Sequence, residues 1–145
     1  MITVIGSLNM DLIVQMDAFP KQGETILGQA FQTVPGGKGA NQAVAAARLG
    51  HEVAMIGCVG QDSFGEALRN VLQQEHIQTG AIVSSPSALT GIANILIYNN
   101  DNRIVVVPGA NYELSPSHLE ASKHLIQKSQ MVIIQLEIPQ ETTAY

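Results

Sequence analysis

The stretch Pro35-Gly36-Gly37-Lys38-Gly39-Ala40-Asn41-Gln42-Ala43 joins an extended segment to a run of small residues, and its reading decides the fold. Glycines allow close backbone approach, and the free N–H groups of a helix start favour oxygen-rich ligands. Two phosphate-loop templates fail. A Walker loop needs Ser or Thr after Gly-Lys, where this chain has Gly39, and the dinucleotide fingerprint needs a third glycine where Gln42 stands. What remains is a glycine-rich entry to a helix expected from about Ala40 to Leu49, closed by Gly50. Ala43, Ala45, Ala46 and Ala47 let that helix lie close against a sheet. Taken alone, the loop fits a ligand cradle and a tight packing turn equally.

Working outward, Ile2–Ile5 is short, β-branched and ended by Gly6-Ser7, which predicts a buried strand. Extended segments are expected near Leu12–Gln15 and Thr25–Val34, the latter alternating as a strand with one wet face, with turn chemistry at Phe19–Gly23 between them. Val53–Val59 reads as a buried strand. Asp62 or Ser63 can cap a helix reaching about Glu75, with Phe64, Leu68, Val71 and Leu72 as its apolar stripe. Ile92–Tyr98 and Arg103–Val107 flank Asn99-Asn100-Asp101-Asn102, a hairpin turn. Ser115 followed by Pro116 opens a further helix, Met131–Leu136 is expected as a final buried strand, and Pro139 starts one more helix.

Strands alternating with helices predict an α/β fold with a mostly parallel sheet flanked by helices. The two hairpin-like stretches break that alternation and are expected to form one small second sheet. A parallel sheet normally has both faces covered, and little chain follows the last strand. The 145 residues are therefore expected to be a truncated piece of a longer chain.

The mass of 15.4 kDa fits one domain. Charged residues make up 13%, about half the usual share, which excludes a disordered tail or a coiled coil. A net charge of −5 argues against non-specific nucleic-acid binding. The single cysteine, Cys58, excludes an internal disulfide and suits a reducing compartment. The N-terminus lacks the positive flank and apolar stretch of a signal peptide, and no apolar run is long enough to span a bilayer, so a soluble cytoplasmic domain is expected.

Asn9 and Asp11 follow the first strand, and Glu137 follows the last. In open parallel sheets ligands bind at that edge. Carboxylates accept hydroxyl protons in short charge-assisted bonds, and an amide both donates and accepts. Asn9, Asp11, Asn41 and Glu137 therefore form a set suited to reading a polyol. Each has a plainer role open to it: Asn9 and Asp11 as turn formers, Asn41 as a first-turn helix residue, Glu137 as a surface charge. Their convergence on one edge favours the ligand reading. The four histidines have no metal-ligand spacing and are expected in solvent, and Cys58 is expected as a buried, inert thiol.

The motifs Gly6-Ser7-Leu8-Asn9-Met10-Asp11, Pro20-Lys21-Gln22-Gly23-Glu24-Thr25, Gly36 to Ala43, Gly60 to Gly65, Gly109-Ala110-Asn111 and Gln135-Leu136-Glu137 resemble the ribokinase branch of the ribokinase-like carbohydrate kinases. The resemblance covers residues 1–145 and matches only the N-terminal half of such kinases. It implies an α/β core with a small β lid formed by about 12–34 and 91–107. It implies that Asn9, Asp11, Gly37, Lys38, Asn41 and Glu137 bind sugar, with Met10, Gly39 and Ala40 in the same motifs. It further implies ATP-dependent phosphorylation of a primary hydroxyl of ribose, with Mg2+ and a monovalent cation such as K+, and a homodimer paired through the lid. The catalytic base, the nucleotide pocket and the metal motifs are expected beyond Tyr145. On that basis the isolated chain is expected to be inactive. A non-catalytic sugar-binding or dimerisation module, and a kinase for another sugar or a nucleoside, are the competing expectations.

Overall fold

A computed structural model describes residues 1–145. Eight strands and five helices run in the order β1 (Ile2–Ile5), β2 (Asn9–Met16), β3 (Gly28–Gly36), α1 (Lys38–Arg48), β4 (Val53–Gly60), α2 (Ser63–Gln74), β5 (Gln78–Ser85), β6 (Gly91–Tyr98), β7 (Asp101–Val107), α3 (Pro116–Ala121), α4 (Lys123–Lys128), β8 (Met131–Ile134) and α5 (Gln140–Ala144). A 3-10 turn at Gly109–Glu113 leads into α3.

The strands form two sheets. The first is parallel throughout, in the order β5-β4-β1-β8. Its central strands are continuous apolar runs because both faces are covered. On one face Val4, Val53, Met55 and Val59 pack against Ala40, Ala43 and Ala46 of α1 and Leu68 and Leu72 of α2. On the other, Ile5, Ile56 and Cys58 pack against Ala110, Leu114, Leu119 and Ile138. The alanines of α1 bring its axis close to the sheet. Asp62 caps α2, accepting from the Gly65 amide at 2.9 Å.

The second sheet has the order β3-β2-β6-β7, with β2 antiparallel to β3 and parallel to β6, and β6 antiparallel to β7. It joins the two stretches that broke the βα alternation. Asn99 and Asn100 carry φ of 51° and 58°, left-handed values that asparagine tolerates and that a two-residue hairpin turn requires.

Several expectations are corrected. The last strand is Met131–Ile134 and not buried: it is the sheet's edge, bonded only to β1, and Met131 is 57% exposed. Apolar grooves of about 500 and 460 Å³ flank it, one against α4 and α5, the other against α1. The strand expected at Thr25–Val34 runs from Gly28 to Gly36 and is exposed on both faces up to Val34, being an edge strand. The segment expected at Leu12–Gln15 extends back to Asn9, pairing with Gly36. The helix opened by Ser115 breaks at Ser122 into α3 and α4. His118 is only partly exposed: its Nδ1 accepts from the Ser115 amide at 3.0 Å and closes a capping box. The other three histidines are exposed.

Candidate functional site

The chain passes between the two sheets at residues 6–9, 36–38, 90–91 and 107–109, and the candidate site lies at that junction. Gly37 has φ of +97°, and a Cβ there would lie 2.6 Å from the Asn9 amide nitrogen and 2.8 Å from the Ser7 oxygen. A Cβ on Gly39 would lie 2.7 Å from the Gly6 carbonyl carbon. These glycines press the start of α1 onto the loop after β1, and the Ala40 amide donates to the Ser7 carbonyl at 3.0 Å.

A cavity of about 150 Å³ opens here, lined by Asn9, Asp11, Gly37, Lys38, Asn41 and Glu137. Ala93, Ile95, Ile104 and Val106 of the second sheet form its other wall. Strand parity explains the wall: Asn9 pairs with Gly91 and Asp11 with Ala93, while Ala93 pairs with Val106 and Ile95 with Ile104, so these side chains share one sheet face. Met10 falls on the opposite face, 3% exposed in the core, and its side chain takes no part in the cavity. Gly39 and Ala40 are likewise buried in the packing of α1.

Glu137 is held from two sides. Ser7 Oγ donates to its Oε2 at 2.8 Å, and Lys38 Nζ donates to its Oε1 in an ion pair. Asp11 sits above Gly36, where a Cβ would lie 2.6 Å from its Oδ2. Burial raises the pKa of Asp11 above the ordinary aspartate value, and the Glu137 charge raises it further, against an opposing pull from Lys38. Asn9 is 4% exposed, and its Oδ1 accepts from Asn111 Nδ2 at 2.8 Å. Two carboxylates, an ammonium and amides around an apolar wall are the chemistry of a hydroxyl-rich ligand with apolar ring faces.

A second polar cluster ties the other corner of the second sheet. Thr90, at the foot of β6, donates its amide to Asp62 Oδ2 at 2.8 Å and its hydroxyl to Asp62 Oδ1 at 2.7 Å, while accepting from the Gly60 amide at 2.9 Å. Burial alone would raise the Asp62 pKa, but these bonds, the one from the Gly65 amide and the nearby Phe64 backbone outweigh it and hold the carboxyl below its usual value. Cys58 is buried, and burial pushes its thiol up to about 11, with Glu113 adding to the effect. No group of three His, Cys, Asp or Glu side chains in residues 1–145 is placed to hold a metal.

Ser7 and Asn111 are the residues that a linear reading passes over. Ser7 lies inside a motif noticed for its neighbours. Asn111 was visible only as part of a turn, and its side chain bonds Leu8 and Asn9 more than a hundred positions earlier. The wall strands are legible as two apolar stretches flanking a hairpin turn, without an indication of which face meets the cavity.

A parallel α/β core with a small second sheet closing one side of a polar, carboxylate-bearing cavity defines the class: an α/β protein with a small-molecule cavity where its two sheets meet. Residues 1–143 match the pfkB family carbohydrate kinase domain. The chain belongs to that family. It is 51% identical over 141 residues to the ribokinase of Bacillus subtilis, covering 97% of this chain and 48% of that protein. It is 49% identical to the ribokinase of Lactococcus lactis, covering 97% and 47% respectively. A structure of Arabidopsis thaliana ribokinase complexed with ribose and ATP superposes with a TM-score of 0.89 at 30% identity, covering 99% of this chain and 48% of that one. The chain therefore spans about half the length of the relatives it matches, and corresponds to a ribokinase-like N-terminal half.

Proposed function

We propose that this chain is the sugar-binding part of an ATP-dependent ribokinase that transfers a phosphoryl group to the primary hydroxyl of ribose. The observation that carries the reading is the convergence of Asn9, Asp11, Lys38, Asn41 and Glu137 on one cavity beneath an apolar lid wall. Asp11 and Glu137 accept hydrogen bonds from sugar hydroxyls, Lys38 and the amides donate, and Ile95, Ile104 and Val106 cover the ring and keep water from competing as acceptor.

ATP is the phosphoryl donor in this reading, supported by the nucleotide and ribose named for the Arabidopsis relative. Mg2+ and a monovalent cation such as K+ supply charge neutralisation of the transferring group when bound. No three His, Cys, Asp or Glu side chains of residues 1–145 come together to hold a cation, and in this reading both ions are held by the other half. The base and nucleotide pocket belong, on this proposal, to polypeptide equivalent to the relatives' other half, and the 145 residues alone are inactive. The exposed strand β8, with Met131, Val132 and Ile134 facing its two apolar grooves, offers the surface on which that half seats. The second sheet leaves Phe31, Val105 and Val107 exposed on the parity opposite to the cavity wall, which supports pairing of two lids in a homodimer. A cytoplasmic location accords with the free, buried Cys58.

The test is ribose-dependent release of ADP from ATP by the purified product of the native gene, with fructose and a nucleoside as alternative acceptors. Turnover with ribose lost in Asp11→Ala supports the proposal. Turnover only with fructose or a nucleoside reassigns the substrate, and ribose binding without turnover by the native product favours a non-catalytic sugar-binding module.

A further inference from the structure

The hydrogen bonds around Asn111 fix which end of the Asn9 amide faces the cavity. The Leu8 amide can only donate, and it points at the Asn111 side chain at 2.8 Å, so that atom is Oδ1. The other arm of Asn111 is then Nδ2, and it lies 3.1 Å from the Leu8 carbonyl oxygen and 2.9 Å from that of Pro108, two groups that can only accept. The orientation of Asn111 is thus dictated by three backbone groups. Its Nδ2 also stands 2.8 Å from the Asn9 side chain, which must answer with its oxygen.

Asn9 Nδ2 is left with no protein partner. Since no buried side-chain nitrogen or oxygen lacks a hydrogen bond, Nδ2 is the accessible end of a side chain otherwise packed to 4% exposure. Asn9 lines the cavity, so its donor end is what a ligand meets. Gly91 makes the arrangement possible: a Cβ there would lie 2.3 Å from Asn9 Oδ1 and 2.4 Å from Asn111 Nδ2.

We infer that Asn111 is a positioning residue that sets the polarity of ligand recognition, presenting Asn9 to the cavity as a donor beside the acceptors Asp11 and Glu137. The inference rests on the sugar-binding reading above. Its consequence is specific. The ligand group facing Asn9 must offer a lone pair there, as a hydroxyl oxygen does and a deoxy carbon does not.

The experiment measures binding of ribose and its monodeoxy analogues to the native gene product by calorimetry. In the unmodified protein, the analogue lacking the hydroxyl that Asn9 meets binds at least about tenfold more weakly than ribose, the worth of one hydrogen bond to a buried polar group. Asn9→Asp keeps the bond from Asn111 but replaces the donor with an acceptor, and abolishes that one discrimination. Asn111→Leu reduces the same discrimination at least about threefold by freeing the amide to rotate, and leaves the ratios for the other analogues unchanged. If Asn111→Leu does not fold, Asn111→Ser, which can still bond the Leu8 amide but is too short for Asn9, carries the same expectation. A uniform loss across all the sugars in the Asn111 variants, or discrimination retained in Asn9→Asp, overturns the inference. Failure of the unmodified protein to bind any of the sugars instead removes the sugar-binding reading beneath it.

Discussion

Replacing Asp62 with alanine probes the joint between lid and core. The side chain accepts from three donors: the Gly65 amide, the Thr90 amide and the Thr90 hydroxyl, at 2.9, 2.8 and 2.7 Å. Loss of the helix cap costs about 1 kcal/mol. Thr90 is 4% exposed, so its amide and hydroxyl are left without an acceptor in a place water hardly reaches. That adds about 1–3 kcal/mol, for a total of about 2–4 kcal/mol. Urea denaturation monitored by circular dichroism measures the change. The pH dependence provides an independent check. The carboxyl has a lower pKa folded than unfolded, so its contribution is present above the unfolded value and is lost as pH falls through the folded one. Asp62→Ala therefore flattens the acid side of the stability profile and loses less than the parent on acidification. A destabilisation below about 1 kcal/mol at neutral pH, the level expected of a cap alone, would refute the reasoning, as would an acid limb parallel to the parent's.

Gly37→Ala places a methyl group against the Asn9 amide and Ser7 carbonyl at a φ of +97°, and is expected to cost about 2–5 kcal/mol from backbone strain and overpacking together, read as a fall in urea midpoint. Lys38→Met breaks the ion pair with Glu137, but the lysine side chain is 70% exposed, so stability changes by no more than about 1 kcal/mol while ribose affinity falls, as calorimetry against denaturation separates. Cys58, buried with its thiol raised to about 11, is expected to resist thiol reagents at neutral pH in the folded protein and to react once urea unfolds it.

Much of this was legible because local chemistry and tertiary context agree. The Asp62 cap and the apolar stripe of α2 are local signals, and α2 starts where they place it. The glycines around Lys38 identify a close approach of helix and strand, though α1 begins at Lys38 itself. Strand β5 escaped because Gln78, Thr79, Gly80, Ser84 and Ser85 give it little apolar content, as befits a sheet edge. The opposite error arose at β8, where an apolar sequence reads as buried but burial depends on a neighbour that the strand does not have on its outer side. Asn9, Asp11, Lys38, Asn41 and Glu137 could be gathered from their positions after strands and at a helix start. The role of Met10 depends on strand parity beyond Asn9, and that of Asn111 on a contact across the whole fold.

The central claim is that the cavity beneath the lid binds ribose through its carboxylates. Calorimetric titration of ribose into the native gene product and into its Asp11→Asn variant tests it most directly. The account predicts saturable binding by the former that weakens as pH is lowered, beginning above the ordinary aspartate range because burial and Glu137 raise the Asp11 pKa, and binding at least about tenfold weaker in the variant. Equal affinity in the two proteins, or no binding to either, would contradict it.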